Sequence, residues 1–543
     1  MRFEEKLKNR SSQQIWQEYC GFLDLDLDGY MNIQNRLMAE QVSLWKASKL
    51  GRKIMEKNGI KEEDLETVDD FRKLFPVTTY DDYADILLQK NGDMLPADPV
   101  IWIQTTWEGG MHPIKVAPYT RSMLDTYKRN AMACMILGVC DEKGKINVRP
   151  DDNFLYGLAA LPYATGLLPR ALEDEMKVNF LPPVREAESL SFKERNKKGF
   201  KMGLKSGIDY FFGMGSVAYF VSKSLSALSG SSDGGGRMGI SPKIALRYLR
   251  AKKICRRENR ELMPKDLFTL KGIMVAGTDC GCYKDELEEM WGIRPMELFA
   301  GTEPTCIGTE TWTREGMYFF PDACFYEFIP EDEMLRCSED TGYQPRTCLM
   351  DEVVKGEKYE IVLSVLKGGA FMRYRVGDVY RCAGLENSKD GTRIPRFYYI
   401  DRVPDIIDIA GFTRITERSV ENVVKLSGLA IEDWTVIKEY TENNKPVMRM
   451  YVEMKPECLM NAAVSRTVIK EHLTIYFKYM DQDYEDLKKI LGMDPLDVNI
   501  LRCGTFEYYN RHHRKLRKIN PSSHEVRELV SAQEHVVSRT ALI

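Results

Sequence analysis

Apolar residues recur at helical spacing through residues 31–57, with Leu37, Met38, Val42 and Trp45 on one face and Gly59 following as a stop signal. This spacing predicts one long amphipathic helix. A second, shorter helix is predicted over 62–75, and a third, with a broad apolar face, over 122–140. Ile101-Trp-Ile-Gln is apolar enough for a buried strand. The aromatic clusters Tyr210-Phe-Phe and Tyr219-Phe point to core packing. Glycine and serine dominate 229–236, which predicts a surface loop ahead of a basic helix over 243–260. From Pro264 the pattern alternates in α/β fashion: strands over 270–277 and 295–299 enclose a helix over 283–291. Strands are then predicted over 318–328, 359–366, 371–382 and 397–400. The remaining stretch predicts a helix over 417–429 capped by Thr416, strands over 434–440 and 446–454 about a hairpin loop, helices over 464–480 and 484–491, and a last strand over 498–503. The basic run over 506–518 reads as a solvated face.

At 543 residues the chain exceeds one ordinary domain. The change of pattern after Arg402 places a boundary at Val403-Pro404, giving a large domain over 1–403 and a smaller one over 404–543. A net charge of −4 offers no broad field for nucleic acid or membrane. Thirteen cysteines, an odd number without a Cys-x-x-Cys pair, argue for free thiols in a reducing compartment. The charged start, Met-Arg-Phe-Glu-Glu-Lys, lacks an apolar signal region, and the expectation is a cytoplasmic protein.

Candidate chemistry gathers at four places. Tyr374-Arg-Val-Gly-Asp378 ends a strand with a carboxylate directly after a glycine, suited to accept hydrogen bonds from the paired hydroxyls of a ribose. Phe299-Ala-Gly-Thr302-Glu303 leaves another strand at the edge where open α/β sheets bind ligands. Thr105, Thr106, Gly109 and Gly110, followed by Lys115, combine small hydroxyl residues, paired glycines and a cation, which lets backbone N–H groups approach phosphate oxygens. Arg402 closes the strand 397–400, and a cluster of cations leads to Ile519-Asn520-Pro521.

This ordered set resembles the adenylate-forming superfamily. In particular it is similar to the auxin-responsive acyl acid amido synthetase family (Gretchen Hagen three) and its microbial branch, over roughly 34–521 of the chain. The resemblance implies an α/β fold: a large N-terminal domain of mixed sheets flanked by helices, with a smaller, mobile α+β C-terminal domain. It implies ATP and Mg2+, with Phe299 against adenine, Thr302 at the α-phosphate, Glu303 at the metal, Asp378 at the ribose and Arg402 at ribose or phosphate. Two departures stand out. Trp107 and Glu108 occupy phosphate-loop positions where the family has small residues, and Asn520 stands where its closing turn has a lysine. Lys518, two residues earlier, is the candidate replacement cation. The implied activity is ATP-dependent activation of a carboxylic acid, then acyl transfer to an amine such as an amino acid. Transfer to coenzyme A, or binding of an adenylate without catalysis, are the alternatives.

Overall fold

Ser48 divides the stretch 31–57 into two helices, Leu27–Ala47 and Lys49–Lys57. The structure, a computed structural model, describes the chain except residues 106–113, 191, 231–241, 341, 404–405, 411–412, 456–465, 481–487, 489–490, 492 and 537–543. Ser48 is extended (φ −76°, ψ 157°), and its Oγ accepts from Gly51 N–H, so it ends one helix and caps the next. Gly51 is required at this corner, because a Cβ there would lie 2.0 Å from the Trp45 carbonyl oxygen. The predicted helix over 62–75 is likewise two pieces, a 3-10 turn at Glu62–Asp64 and the helix Val68–Leu74, with Thr67 as N-cap. The helix expected over 122–140 forms as Arg121–Val139, capped by Thr120.

In chain order the strands are β1 (Ile101–Gln104), β2 (Val116–Tyr119), β3 (Asn153–Gly157), β4 (Asn179–Leu181), β5 (Tyr210–Met214), β6 (Gly272–Ala276), β7 (Met296–Gly301), β8 (Thr305–Glu310), β9 (Met317–Phe319), β10 (Cys324–Pro330), β11 (Lys358–Val365), β12 (Tyr374–Gly384) and β13 (Arg396–Arg402). They are followed by β14 (Ile406–Ile409), β15 (Thr413–Thr416), β16 (Ile431–Tyr440), β17 (Pro446–Met454) and β18 (Leu496–Leu501). The stretch 318–328, expected as one strand, is two: β9 and β10 pair with different neighbours, and Phe320 to Ala323 make the turn between them.

β1 and β2 form an antiparallel hairpin, and β3 to β13 form one sheet in the order β10-β11-β12-β13-β9-β8-β7-β6-β5-β3-β4. The sheet has two halves. β4, β3, β5, β6 and β7 run parallel, joined by helical crossovers, whereas β7 to β8, β8 to β9 and β10 to β12 pair antiparallel. Residues Tyr210, Phe211 and Phe212 on β5 are all buried, the pattern of a strand covered on both faces. Because the parallel strands share one direction, their C-terminal ends, Gly157, Met214, Ala276 and Gly301, line one edge of the sheet.

The described residues form two compact units, one within 1–105 and 114–400, the other within 401–536. In the second, β17 pairs antiparallel with β16 and parallel with β18, and the helix Arg466–Met480 makes the crossover. The helix Glu417–Ser427 carries the expected Thr416 cap. This is the predicted α/β architecture: a large helix-flanked mixed sheet and a smaller α+β unit. The loop expected over 229–236 begins within the helix Gly215–Gly230, and the rest of it, like most of the helix expected over 484–491, lies outside the described residues. No described helix is long and apolar enough to cross a membrane.

Candidate active site

The β1–β2 hairpin is closed by a reciprocal pair of hydrogen bonds. Thr105 N–H donates to the Lys115 carbonyl (3.0 Å), and Lys115 N–H donates to Thr105 Oγ1 (3.1 Å). Thr106, Gly109 and Gly110, with the atypical Trp107 and Glu108, lie outside the described residues. The hairpin is tied to the segment following β3, where Gln104 N–H donates to the Pro162 carbonyl (2.9 Å). The loop base therefore sits by the edge where the parallel strands end.

β7 leads directly into Thr302 and Glu303, and both are buried. The Tyr119 hydroxyl at the end of β2 donates to the Thr302 carbonyl (2.7 Å) and so fixes this turn to the hairpin. Burial, reinforced by the Glu303 carboxylate, holds the Tyr119 hydroxyl well above the ordinary tyrosine range, so it stays a neutral donor. Glu303 Oε1 accepts from the Tyr374 hydroxyl (2.7 Å) and lies 3.7 Å from Lys115 Nζ. Lys115 Nζ in turn donates to the Tyr374 hydroxyl (3.2 Å) and lies 5.5 Å from the centre of the Tyr80 ring. Three of the predicted stretches thus meet in one cluster: Lys115 from the hairpin, Glu303 from the end of β7 and Tyr374 from the start of β12.

The motif Tyr374–Asp378 by itself gives Tyr374 no role. Its hydroxyl bridges the cation and the carboxylate, and only the fold shows this. Tyr80 and Tyr119 were also unassigned, since an isolated tyrosine carries no positional signal. Glu297, two residues before Phe299 on β7, is not part of the cluster. It pairs with Lys284 (2.8 Å), which also holds Glu310 (2.8 Å). Burial raises the Glu297 carboxyl above the usual range against the pull of Lys284.

Asp378 is 2 % exposed, on β12. Val362 faces Arg375 and Glu360 faces Val379, so residues 376–378 stand opposite Ile361 alone as a bulge. Gly377 at its centre has φ +84°, a conformation open to glycine at no steric cost. The motif's glycine is therefore required by the backbone that sets Asp378. Two residues on, the Tyr380 ring meets Phe299 edge-on (centroids 5.6 Å) and Tyr399 (5.5 Å), which places Phe299 in an aromatic group on this sheet.

The second unit holds the remaining candidates. Arg402 Nε lies 3.4 Å from the fully buried Asp408 carboxylate. Asn520 has φ +44°, a region asparagine tolerates far better than lysine. Its N–H donates to the Val436 carbonyl (2.8 Å), its Oδ1 accepts from Lys438 N–H (2.9 Å) and its Nδ2 donates to the Ile406 carbonyl (3.3 Å). The segment is thereby laid beside β16, and the departure from lysine has a structural use. Lys518 pairs with Asp433 and lies 5.2 Å from the centre of the Trp434 ring.

Among the described residues no group of three or more His, Cys, Asp or Glu side chains is arranged for a metal ion. Glu303 as a lone buried carboxylate fits magnesium, which takes one or two protein carboxylates and completes its shell with water and substrate phosphates. The donor set suits a metal that arrives with a nucleotide.

Residues 317–402, which include Tyr374, Asp378 and Arg402, match the model of the GH3 family central domain. The indole-3-acetic acid-amido synthetase GH3.4 of Arabidopsis thaliana is 28% identical over 199 residues, which cover 35% of this chain and 31% of that protein. The probable indole-3-acetic acid-amido synthetase GH3.9 of Oryza sativa subsp. japonica is 28% identical over 227 residues, 39% of this chain and 47% of that protein. The match thus spans less than half the length of these relatives. Among solved structures, a 2-hydroxyisobutyryl-CoA ligase in complex with 2-HIB-AMP and CoA superposes with a TM-score of 0.57 at 16% identity, covering 93% of this chain and 92% of that one. The AtGH3.15 acyl acid amido synthetase in complex with 2,4-DB does so at 0.52 and 15%, covering 94% and 95%. Residues 317–402 thus resemble a GH3 family central domain, and they lie in a chain whose fold is that of these two solved enzymes.

Proposed function

We propose that the chain activates a carboxylic acid with ATP and passes the acyl group to an amine such as an amino acid. In the first step the carboxylate oxygen attacks the α-phosphorus and pyrophosphate leaves. In the second the amine nitrogen attacks the acyl carbonyl, loses a proton, and AMP leaves. Neither step needs a covalent nucleophile from the protein, so the demand is for positioning and for charge stabilisation at phosphate oxygens. The observation that carries the reading is the cluster of Lys115, Tyr374 and Glu303 at the edge where the parallel strands end, on the same chain as the family's central domain.

In this reading Lys115 neutralises phosphate charge beside Thr105, Thr106, Gly109 and Gly110. Thr302 contacts the α-phosphate, Phe299 packs on adenine, and Arg402 contacts ribose or phosphate. Glu303 holds magnesium, whose charge offsets that of the phosphates. Tyr374 positions Lys115 and Glu303 relative to each other. Residues 404–543 act as a small domain that moves on 1–403; identical small-angle scattering of the apo and adenylate-bound protein would count against that motion.

The function is tested by ATP–pyrophosphate exchange across a panel of carboxylic acids, followed by mass spectrometry of the product formed with amino acids or with coenzyme A. Exchange with an amide product supports the reading. A thioester product replaces the acceptor, and adenylate binding without exchange replaces catalysis by binding.

Two substitutions separate the nucleotide roles. Asp378→Ala removes the charged acceptor for the ribose hydroxyls and should weaken AMP binding by about 1.5–3 kcal/mol. Unchanged affinity by titration calorimetry, in a folded variant, would remove the ribose role. Glu303→Gln keeps shape and loses charge, so its activity loss should be partly relieved at raised magnesium. A loss with unaltered magnesium dependence would argue against Glu303 as the metal ligand.

A further inference from the structure

The helix Gly215–Gly230 already makes the crossover from β5 to β6, burying Val217, Ala218, Tyr219 and Val221. The helix Pro242–Glu258, inserted after it, covers little. Among its described side chains only Ala251 and Cys255 are buried, one helical turn apart. The opposite face is exposed, with Leu246, Leu249, Arg250, Lys253 and Arg257 at spacings of three, four, seven and eleven from the first. Leu246 is 50% and Leu249 62% exposed, and Ile254 at the flank of this face is 47% exposed. Across the helix seven residues are basic (Lys243, Arg247, Arg250, Lys252, Lys253, Arg256 and Arg257) and Glu258 alone is acidic. The chain as a whole carries −4, so this local excess is hidden in the total that argued against a membrane partner.

We propose that the helix Pro242–Glu258 docks on an anionic lipid surface, with Leu246 and Leu249 in the headgroup–acyl boundary and the basic side chains among the headgroups. A basic amphipathic helix with aliphatic residues on its outer face has the composition of an interfacial helix. Long basic side chains extend their charge to the headgroups while their stems follow the apolar residues inward. Three other partners fit the same face less well. A groove on a protein would need a continuous apolar stripe, but Lys253 and Arg257 take the next positions after Leu246 and Leu249, and burying them unpaired is unfavourable. A second copy of the chain would bring the same positive face against itself. A nucleic acid backbone is bound by cations and leaves exposed leucines without a use.

The test is co-sedimentation of the full chain with vesicles of phosphatidylcholine alone and of phosphatidylcholine mixed with phosphatidylglycerol. Binding is expected to the mixed vesicles, to be weak to the neutral ones, and to fall as salt is raised. Each basic residue near an anionic surface is worth about fivefold in partitioning, so Lys253→Gln with Arg257→Gln should reduce binding roughly 25-fold. Leu246→Ser with Leu249→Ser should also reduce it, although no charge changes. All four side chains are exposed, so both variants should keep the wild-type melting temperature, and a melting curve checks this. Equal sedimentation with both vesicle types, or with neither, overturns the proposal. So does binding that ignores the two leucines, or a leucine-dependent dimer that forms without lipid.

Discussion

Arg373→Met should lower the free energy of unfolding of the large unit by roughly 3–5 kcal/mol, the cost of breaking a buried ion pair from one side. The Arg373 side chain is 6% exposed and that of Glu327 1%. Nε donates to Glu327 Oε2 (3.1 Å), and Nη2 lies 3.1 Å from Oε1. The other guanidinium donors reach the Arg72 carbonyl (2.7 Å), the Phe75 carbonyl and Thr347 Oγ1 (3.2 Å). Methionine fills much of the space and supplies none of these bonds. Glu327 would retain Thr347 Oγ1 (2.6 Å) and a long contact to Arg72 (3.5 Å), too little to offset a charge in the core. Arg373 also has φ +45° and immediately precedes Tyr374, so it anchors the strand that carries the site. Denaturant unfolding of the variant is the check. A loss below about 1 kcal/mol would mean that the pair behaves like an exposed one.

Lys518→Ala should slow ATP–pyrophosphate exchange by roughly 10²–10³, the usual cost of one preorganised donor at a developing charge. Such a loss would assign to Lys518 the proposed cation of the closing turn, in place of the lysine that Asn520 does not supply. A cation acting on charge that grows in the transition state should affect kcat more than binding. The structure adds two points. Lys518 is paired with Asp433, and freeing it has a cost, so Asp433→Asn should raise the rate. Asn520→Lys should give little gain, because it sacrifices two side-chain hydrogen bonds, to Lys438 N–H and the Ile406 carbonyl, at a left-handed position. The reverse outcome, a gain for Asn520→Lys and none of the loss for Lys518→Ala, would identify Asn520 as a disabled catalytic position. No response from either variant in an active protein would move the closing turn elsewhere.

The sequence alone determined much of this protein. Periodicity and caps located the helices at Arg121–Val139 and Glu417–Ser427, the strands on either side of the helix Lys284–Trp291, and the hairpin of β16 and β17. These are local properties, written in the spacing of apolar residues and in single capping side chains. The motifs around Glu303 and Asp378 were legible for a similar reason, since each is a short run whose glycine answers to local backbone geometry, as Gly377 does. Where local and long-range demands diverged, pattern was insufficient. Ser48 breaks an amphipathic run that periodicity continues across, because the chain must turn against Trp45. The stretch 318–328 carries a local break at Pro321-Asp322, which a single-strand reading passes over and at which β9 and β10 separate to different partners. Neither the bridge through Tyr374, which joins residues 259 and 71 positions apart from it, nor the use of the Asn520 amide against β16 has any trace in local sequence. The exposed basic face of Pro242–Glu258 is the same case in reverse, for composition showed the charge and only packing shows which side of the helix the fold leaves uncovered. Contacts between distant segments are selected by the free energy of the whole packed chain, and a motif can name the groups but not which of them will meet.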